Sequence, residues 1–159
     1  MRYALALAFL LSLLCADMAL AAGEGDLKPY LDAESYVTEC SNAADQDVCR
    51  AERARWSIVF DAALTGDLNA QKLVAQCLAT GCGDLVKVEP HHACGWALLR
   101  SWATSKGTRN PLIKKINLQF YRDLCEVERN IPYNTSANVA RHLNSHIYEA
   151  FRPSSSVIY

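Results

Sequence analysis

Beyond its first two dozen residues the chain has no apolar run of the roughly 20 residues that cross a bilayer, so no membrane span is expected in the mature chain. Surplus charge is missing too. Sixteen lysines and arginines face 17 aspartates and glutamates, which leaves no basic footprint and no expectation of a nucleic-acid partner. The densest cationic cluster, "RAERAR" at 50–55, alternates with glutamate and reads as a solvated helix face rather than a polybasic membrane anchor. No stretch alternates apolar and polar residues for long enough to predict a half-buried strand. Gly-x-Ser-x-Gly elbows and phosphate-cradling loops are absent, and the glutamates fall on helix faces without a visible partner. Nothing therefore assigns a catalytic residue, cofactor or metal, and the chain is not expected to be an enzyme.

What is present begins with "MRYALALAFLLSLLCADMALAAGEG". Arg2 supplies a positive n-region, Tyr3 to Leu14 an apolar h-region, and Ala19-Leu20-Ala21 a small-x-small cleavage site. This order predicts a secretory signal peptide over 1–21, cut after Ala21, and a periplasmic or secreted product. Cys15 invites a lipoprotein reading, but Leu14 stands where such motifs want a small residue. It reads as part of the discarded h-region. Removing 21 of 159 residues leaves 138, enough for one domain with one core.

Six cysteines then remain: Cys40, Cys49, Cys77, Cys82, Cys94 and Cys125. An even number in an exported chain predicts disulfides, because the compartment is oxidising. "CLATGCG" at 77–83 is read accordingly as neither a zinc site nor a redox pair. A thioredoxin-like pair wants Cys-x-x-Cys opening a helix, whereas here four residues intervene at a helix end.

Apolar spacing is helical nearly throughout. Trp56, Val59, Phe60 and Ala63 share one face of a predicted helix over about 46–64, ended by Gly66. A second spans about Leu68 to Ala79 after an Asp67 cap, with Leu68, Leu73, Val74, Cys77 and Leu78 largely on one side. Pro90 suits the first turn of a third, which carries "HHACGWALLRSWATSK" to Gly107. Asn110-Pro111 opens a fourth, whose Ile113, Ile116, Phe120, Leu124 and Val127 are read as a core stripe. "RNIPYNTS" breaks it. A last helix over about 136–151 places Val139, Leu143, Ile147 and Phe151 at i+4 steps. Residues 22–45 are read as a partly extended N-terminal arm with helix possible around "DAESYVTEC", 46–151 as the helical domain, and 152–159 as a flexible tail.

From Ala62 to Gly107 the spacing resembles the Sel-one-like repeat family, a branch of the tetratricopeptide-like helical repeats. Ala70, Val74, Ala75 and Leu78 match the family's first helix, and Gly81 and Gly83 its loop. Ala93-Cys94-Gly95-Trp96 matches the second-helix signature, and Ala103 and Gly107 its close. The resemblance implies antiparallel helices brought close by small residues, with Trp96 filling the groove between them, and a role in binding a protein partner not yet identified. "ECSNAADQDVCRAE" is in turn similar to the start of a family of periplasmic lysozyme inhibitors, which implies an alternative role in restraining a cell-wall lytic enzyme. An unrecognised enzyme is the remaining alternative.

Other residues of types that carry chemistry elsewhere have simpler readings. His142 and His146 stand four apart, but "HLNSH" lacks the metalloprotease glutamate; His91 and His92 read as polar residues of a first helical turn. Trp96 and Trp102 are about 600° apart around a helix and face different sides, so Trp96 is expected in the core and Trp102 on a binding surface. "NTS" at 134–136 fits a glycosylation acceptor, yet the resemblance points to a bacterial chain, where Asn134 or Ser136 is a helix cap.

The expected architecture is all-α: about five helices in stacked antiparallel hairpins, tetratricopeptide-like and stapled by disulfides. If the third and fourth helices turn near residue 109, Cys94 and Cys125 lie at equal depth on the two arms. That favours Cys94–Cys125, with Cys40–Cys49 and Cys77–Cys82 as local pairs. The rival arrangement pairs Cys77 with Cys94 and Cys82 with Cys125.

Overall fold

Aspartate caps start the first two helices. In the computed structural model, which describes residues 28–106 and 109–149, Asp45 accepts from the amides of Asp47 and Val48 and opens α1, Gln46–Leu64. Asp67 accepts from Asn69 and Ala70 and opens α2, Leu68–Thr80. Each carboxylate satisfies amides that the first turn leaves unpaired. Between them Gly66 takes φ +96°, a left-handed conformation that glycine adopts without a Cβ penalty. Helix α3 follows at Pro90–Ser105, α4 at Pro111–Tyr121 and α5 at Tyr133–Asn144. Wider π turns extend the last two, over Arg122–Val127 and Ser145–Glu149. Among the described residues there is no strand, and no helix is long and apolar enough to cross a membrane. The expected signal peptide, Cys15, Gly107, Phe151 and the tail 152–159 lie outside the described residues.

Helix α3 is the centre of the molecule. Every residue from His92 to Leu99 is buried, and a helix that is apolar all round must be covered on all sides. Helix α2 runs antiparallel to it: the Glu89 amide donates to Leu78 O, and Arg100 Nε donates to Leu68 O. On another side α4 is antiparallel as well, with Asn117 Nδ2 donating to Thr104 O and Cys94 bonded to Cys125. Helix α5 crosses close to α3, because Gly95 has no side chain. A Cβ built there would stand 2.1 Å from Val139 Cγ1 and 2.4 Å from Val139 Cβ.

Three disulfides join Cys40 to Cys49, Cys77 to Cys82 and Cys94 to Cys125, with Cα separations of 5.8, 4.8 and 5.7 Å. These are the favoured pairs, not the rival set. "CLATGCG" is thus a staple at the end of α2. Gly81 turns left-handed at φ +86°, its amide donates to Cys77 O at 2.8 Å, and Cys82 returns to Cys77.

Several expectations need correction. Of the stripe read along α4, Ile113, Ile116 and Val127 are 43, 62 and 77% exposed, while Leu124 is buried and Phe120 half-buried. The seam against α3 runs instead through Asn117, Tyr121, Leu124 and Cys125. That is one residue, or about 100°, out of phase, and the wide turn after Tyr121 shifts the register again. Leu73 is exposed, because α2 packs through Ala70, Gln71, Val74, Ala75, Cys77 and Leu78. Helix α5 starts at Tyr133, three residues early, so Ser136 lies inside it and caps nothing. Its buried hydroxyl accepts instead from Tyr121 Oη at 3.2 Å.

From residue 28 on, the segment read as an arm packs against the core through Ala33, Tyr36, Val37 and Cys40. It forms 3-10 turns at Ala33–Tyr36 and Cys40–Asn42, and Val37 bridges Val86 of the loop before α3. Trp56 Nε1 donates to Ala33 O at 3.0 Å. Tyr36 is fully buried against Phe60 and His92, and its Oη lies 3.1 Å from His92 Nδ1 and accepts from the Tyr30 amide. Burial holds the Tyr36 phenol well above its ordinary range. His92 is therefore a core residue rather than a polar member of the first turn.

Candidate functional site

Three helix ends meet beside Trp102. The last turn of α3 brings Trp102, Ala103 and Lys106, and the first turn of α4 brings Lys114. The end of α5 and its wide turn bring Asn144 and Tyr148, and the α1–α2 turn closes the far side at Gly66 and Leu68. Together they line an open groove of about 830 Å³. That volume lies within the ~300–1,000 Å³ typical of ligand pockets.

Local contacts set its walls. The left-handed turn at Gly66 packs against the Tyr148 ring, and Gln71 Nε2, donating to Ala63 O at 3.3 Å, also reaches Tyr148 Oη at 3.4 Å. Asn117 ties α4 to the end of α3 through Thr104 O and Ser105 Oγ. On the neighbouring side Lys72 and Arg100 lie 5.7 and 5.8 Å from the centre of the Phe120 ring, a favourable placing of cations over an aromatic face.

The lining joins aromatic and aliphatic surface to two lysines, and it contains no carboxylate. From Pro90 to Arg122 the chain has six lysines and arginines and no aspartate or glutamate. This acid-free run was legible in the sequence. Whole-chain neutrality conceals it, and only folding shows that it supplies one side of a groove. The chemistry on offer is stacking, apolar contact and attraction of negative charge.

The described residues that carry the repeat resemblance fall in three places. Ala70, Ala93 and Trp96 are buried in the α2–α3 pair, with the Trp96 ring 5.7 Å from that of Phe60. Gly81 caps α2 and Gly83 follows in the same turn at φ +72°, while Ala103 lines the groove. Trp102 is half-buried on the groove wall, where the sequence placed a surface indole. His142 and His146 are exposed and line a smaller groove of about 340 Å³ with Lys28, Pro29, Leu31 and Ser145. Among the described residues no three histidines, cysteines or carboxylates gather as a metal site would require. No family model matches the chain, and neither a curated protein nor a solved structure shows significant similarity to it.

Proposed function

We propose that the protein is an exported binding module of the Sel-one-like, tetratricopeptide-like kind, which holds a segment of a partner protein in the envelope or outside the cell. The observation that carries this reading is the groove at Trp102, open, walled by the Trp102 and Tyr148 rings and lined by Lys106 and Lys114 without an acid. Its lining offers groups that bind rather than a nucleophile held by a base, which favours an interaction role over catalysis. The antiparallel α2–α3 pair with small residues at its contact agrees with the repeat resemblance. Three disulfides and the signal-like N-terminus agree with export.

A photo-crosslinking residue placed at Ala103 in the exporting cell tests the groove directly. A discrete covalent adduct is expected from position 103 and none from exposed Ala51 on α1, and Trp102→Ala should abolish it. Equal labelling from both positions, or an adduct indifferent to Trp102, would reject the groove as the binding site. The mass of the exported product checks the compartment: it should begin at Ala22, and a chain retaining Met1 in the cytoplasm would overturn export.

A further inference from the structure

The first two turns of α4 expose a second feature, which belongs to neither groove. Leu112, Ile113 and Ile116 fall within about 100° of one another around the helix, and Leu112 and Ile116 are each 62% exposed. Cations surround them. Lys115 lies about 60° to one side of Leu112 and Lys114 about 100° beyond Ile113 on the other, while Arg109 and Lys106 precede the helix. From Lys106 to Tyr121 the chain contains no carboxylate. Among the described residues none of these four cations is in an ion pair.

We propose that this ridge docks the protein on an anionic phospholipid surface. An exposed apolar ridge costs solubility unless something covers it, and contiguous exposed apolar side chains beside basic ones mark interaction surfaces. Its charge specifies a negative cover, and its form specifies a deformable one. Leu112, Ile113 and Ile116 project from one helix between flanking cations, so they can enter the boundary below the headgroups while flexible lysine stems keep the ammonium groups among the phosphates. The inference stands apart from the groove, because Leu112, Ile113, Ile116, Arg109 and Lys115 take no part in lining it.

Flotation of the exported protein with vesicles tests this. Vesicles of mixed phosphatidylglycerol and phosphatidylcholine should carry the protein, pure phosphatidylcholine should not, and high salt should release it. Arg109→Gln with Lys115→Gln should weaken binding about 30-fold, taking roughly fivefold for each basic residue at an anionic surface. Leu112→Ser with Ile116→Ser should abolish binding and leave the thermal transition in place, since both side chains are exposed. Equal flotation with neutral vesicles, no flotation at all, or flotation unaffected by the ridge variants would each overturn the proposal. Capture by an acidic polypeptide such as polyglutamate without vesicle binding would overturn it as well, and would assign the ridge to a protein.

Discussion

Replacing Gly95 with alanine tests the central crossing of the fold, and the expected sign is opposite to the usual one. In the interior of a helix this change ordinarily stabilises by about 1 kcal/mol, because alanine is the better helix former. Here the new Cβ would stand 2.1 and 2.4 Å from two atoms of fully buried Val139, against the roughly 3.5–4.0 Å of an ordinary carbon contact. Turning the valine about χ1 moves its Cγ atoms but not its Cβ. The backbones of α3 and α5 must therefore separate by more than 1 Å. Overpacking of this kind costs about 1–3 kcal/mol, and the larger values apply where two helices rather than one side chain must move. The net effect is a loss of about 1–2 kcal/mol after the gain in propensity.

The partner substitution makes the argument decisive. Val139→Ala keeps the offending Cβ and should rescue only in part, whereas Val139→Gly clears the space. In the Val139→Gly background Gly95→Ala should stabilise by about 1 kcal/mol, the propensity gain alone. The two positions should thus couple by about 2–3 kcal/mol, near the top of the range for residues in contact. Urea unfolding with the disulfides intact, fitted with a common m-value, measures all four corners of the cycle. A stabilising Gly95→Ala in the wild-type background, or coupling below about 0.5 kcal/mol, would show that α3 and α5 do not approach at this point.

The remaining expectations concern the core, the staples and pH. Trp96→Ala should cost about 3–5 kcal/mol by urea unfolding, as for other large core aromatics, and Trp102→Ala much less, since Trp102 is only half-buried. Removing both cysteines of Cys94–Cys125, 31 residues apart, should cost about 3–4 kcal/mol, against about 2 for Cys77–Cys82, five apart, by the loop-entropy relation. Folding raises the phenols of Tyr36 and Tyr121, in each case chiefly through burial. The unfolded chain thus loses these protons first, and stability should be intact below about pH 10 and fall as pH rises beyond it. Tyr36→Phe should flatten that fall in a pH series of urea midpoints.

Local chemistry made much of this fold legible. Asp67 and Pro90 act within one turn of themselves, and the starts of α2 and α3 followed from them; Asp45 caps α1 in the same way but was not singled out. Equal spacing about the α3–α4 turn brought Cys94 level with Cys125. Failures came where phase or distant packing decides. The stripe read along α4 satisfies a helical period as well as the true seam does, and only Cys125 and Asn117, with their partners on α3, distinguish the two. Tyr36 gave no periodic signal, because its place is set by Phe60 and His92, 24 and 56 residues away. The groove was half-legible. Trp102 was singled out, but the meeting of α3, α4 and α5 depends on a crossing at Gly95 that no local rule supplies.

Two of the three staples and the groove occupy opposite ends of the central helix. Cys94 lies in the first turns of α3, where it holds the end of α4 through Cys125, and the Cys77–Cys82 staple closes α2 beside the same end, near Glu89. Trp102 and Lys106 lie eight and 12 residues further along, about 12 and 18 Å away at the rise of an α-helix. At that end the helices are joined by weaker means: Asn117 on Thr104 O, Arg100 on Leu68 O, Gln71 on Tyr148. Hydrogen bonds of this kind contribute only ~0.5–1.5 kcal/mol each, while a covalent bridge restricts the whole unfolded ensemble. One end of the bundle is thereby fixed, and the groove end is left to adjust. A surface assembled from three helix ends can shift there at the cost of hydrogen bonds alone and leave the crossing at Gly95 undisturbed, which is the division that the proposed partner binding would use.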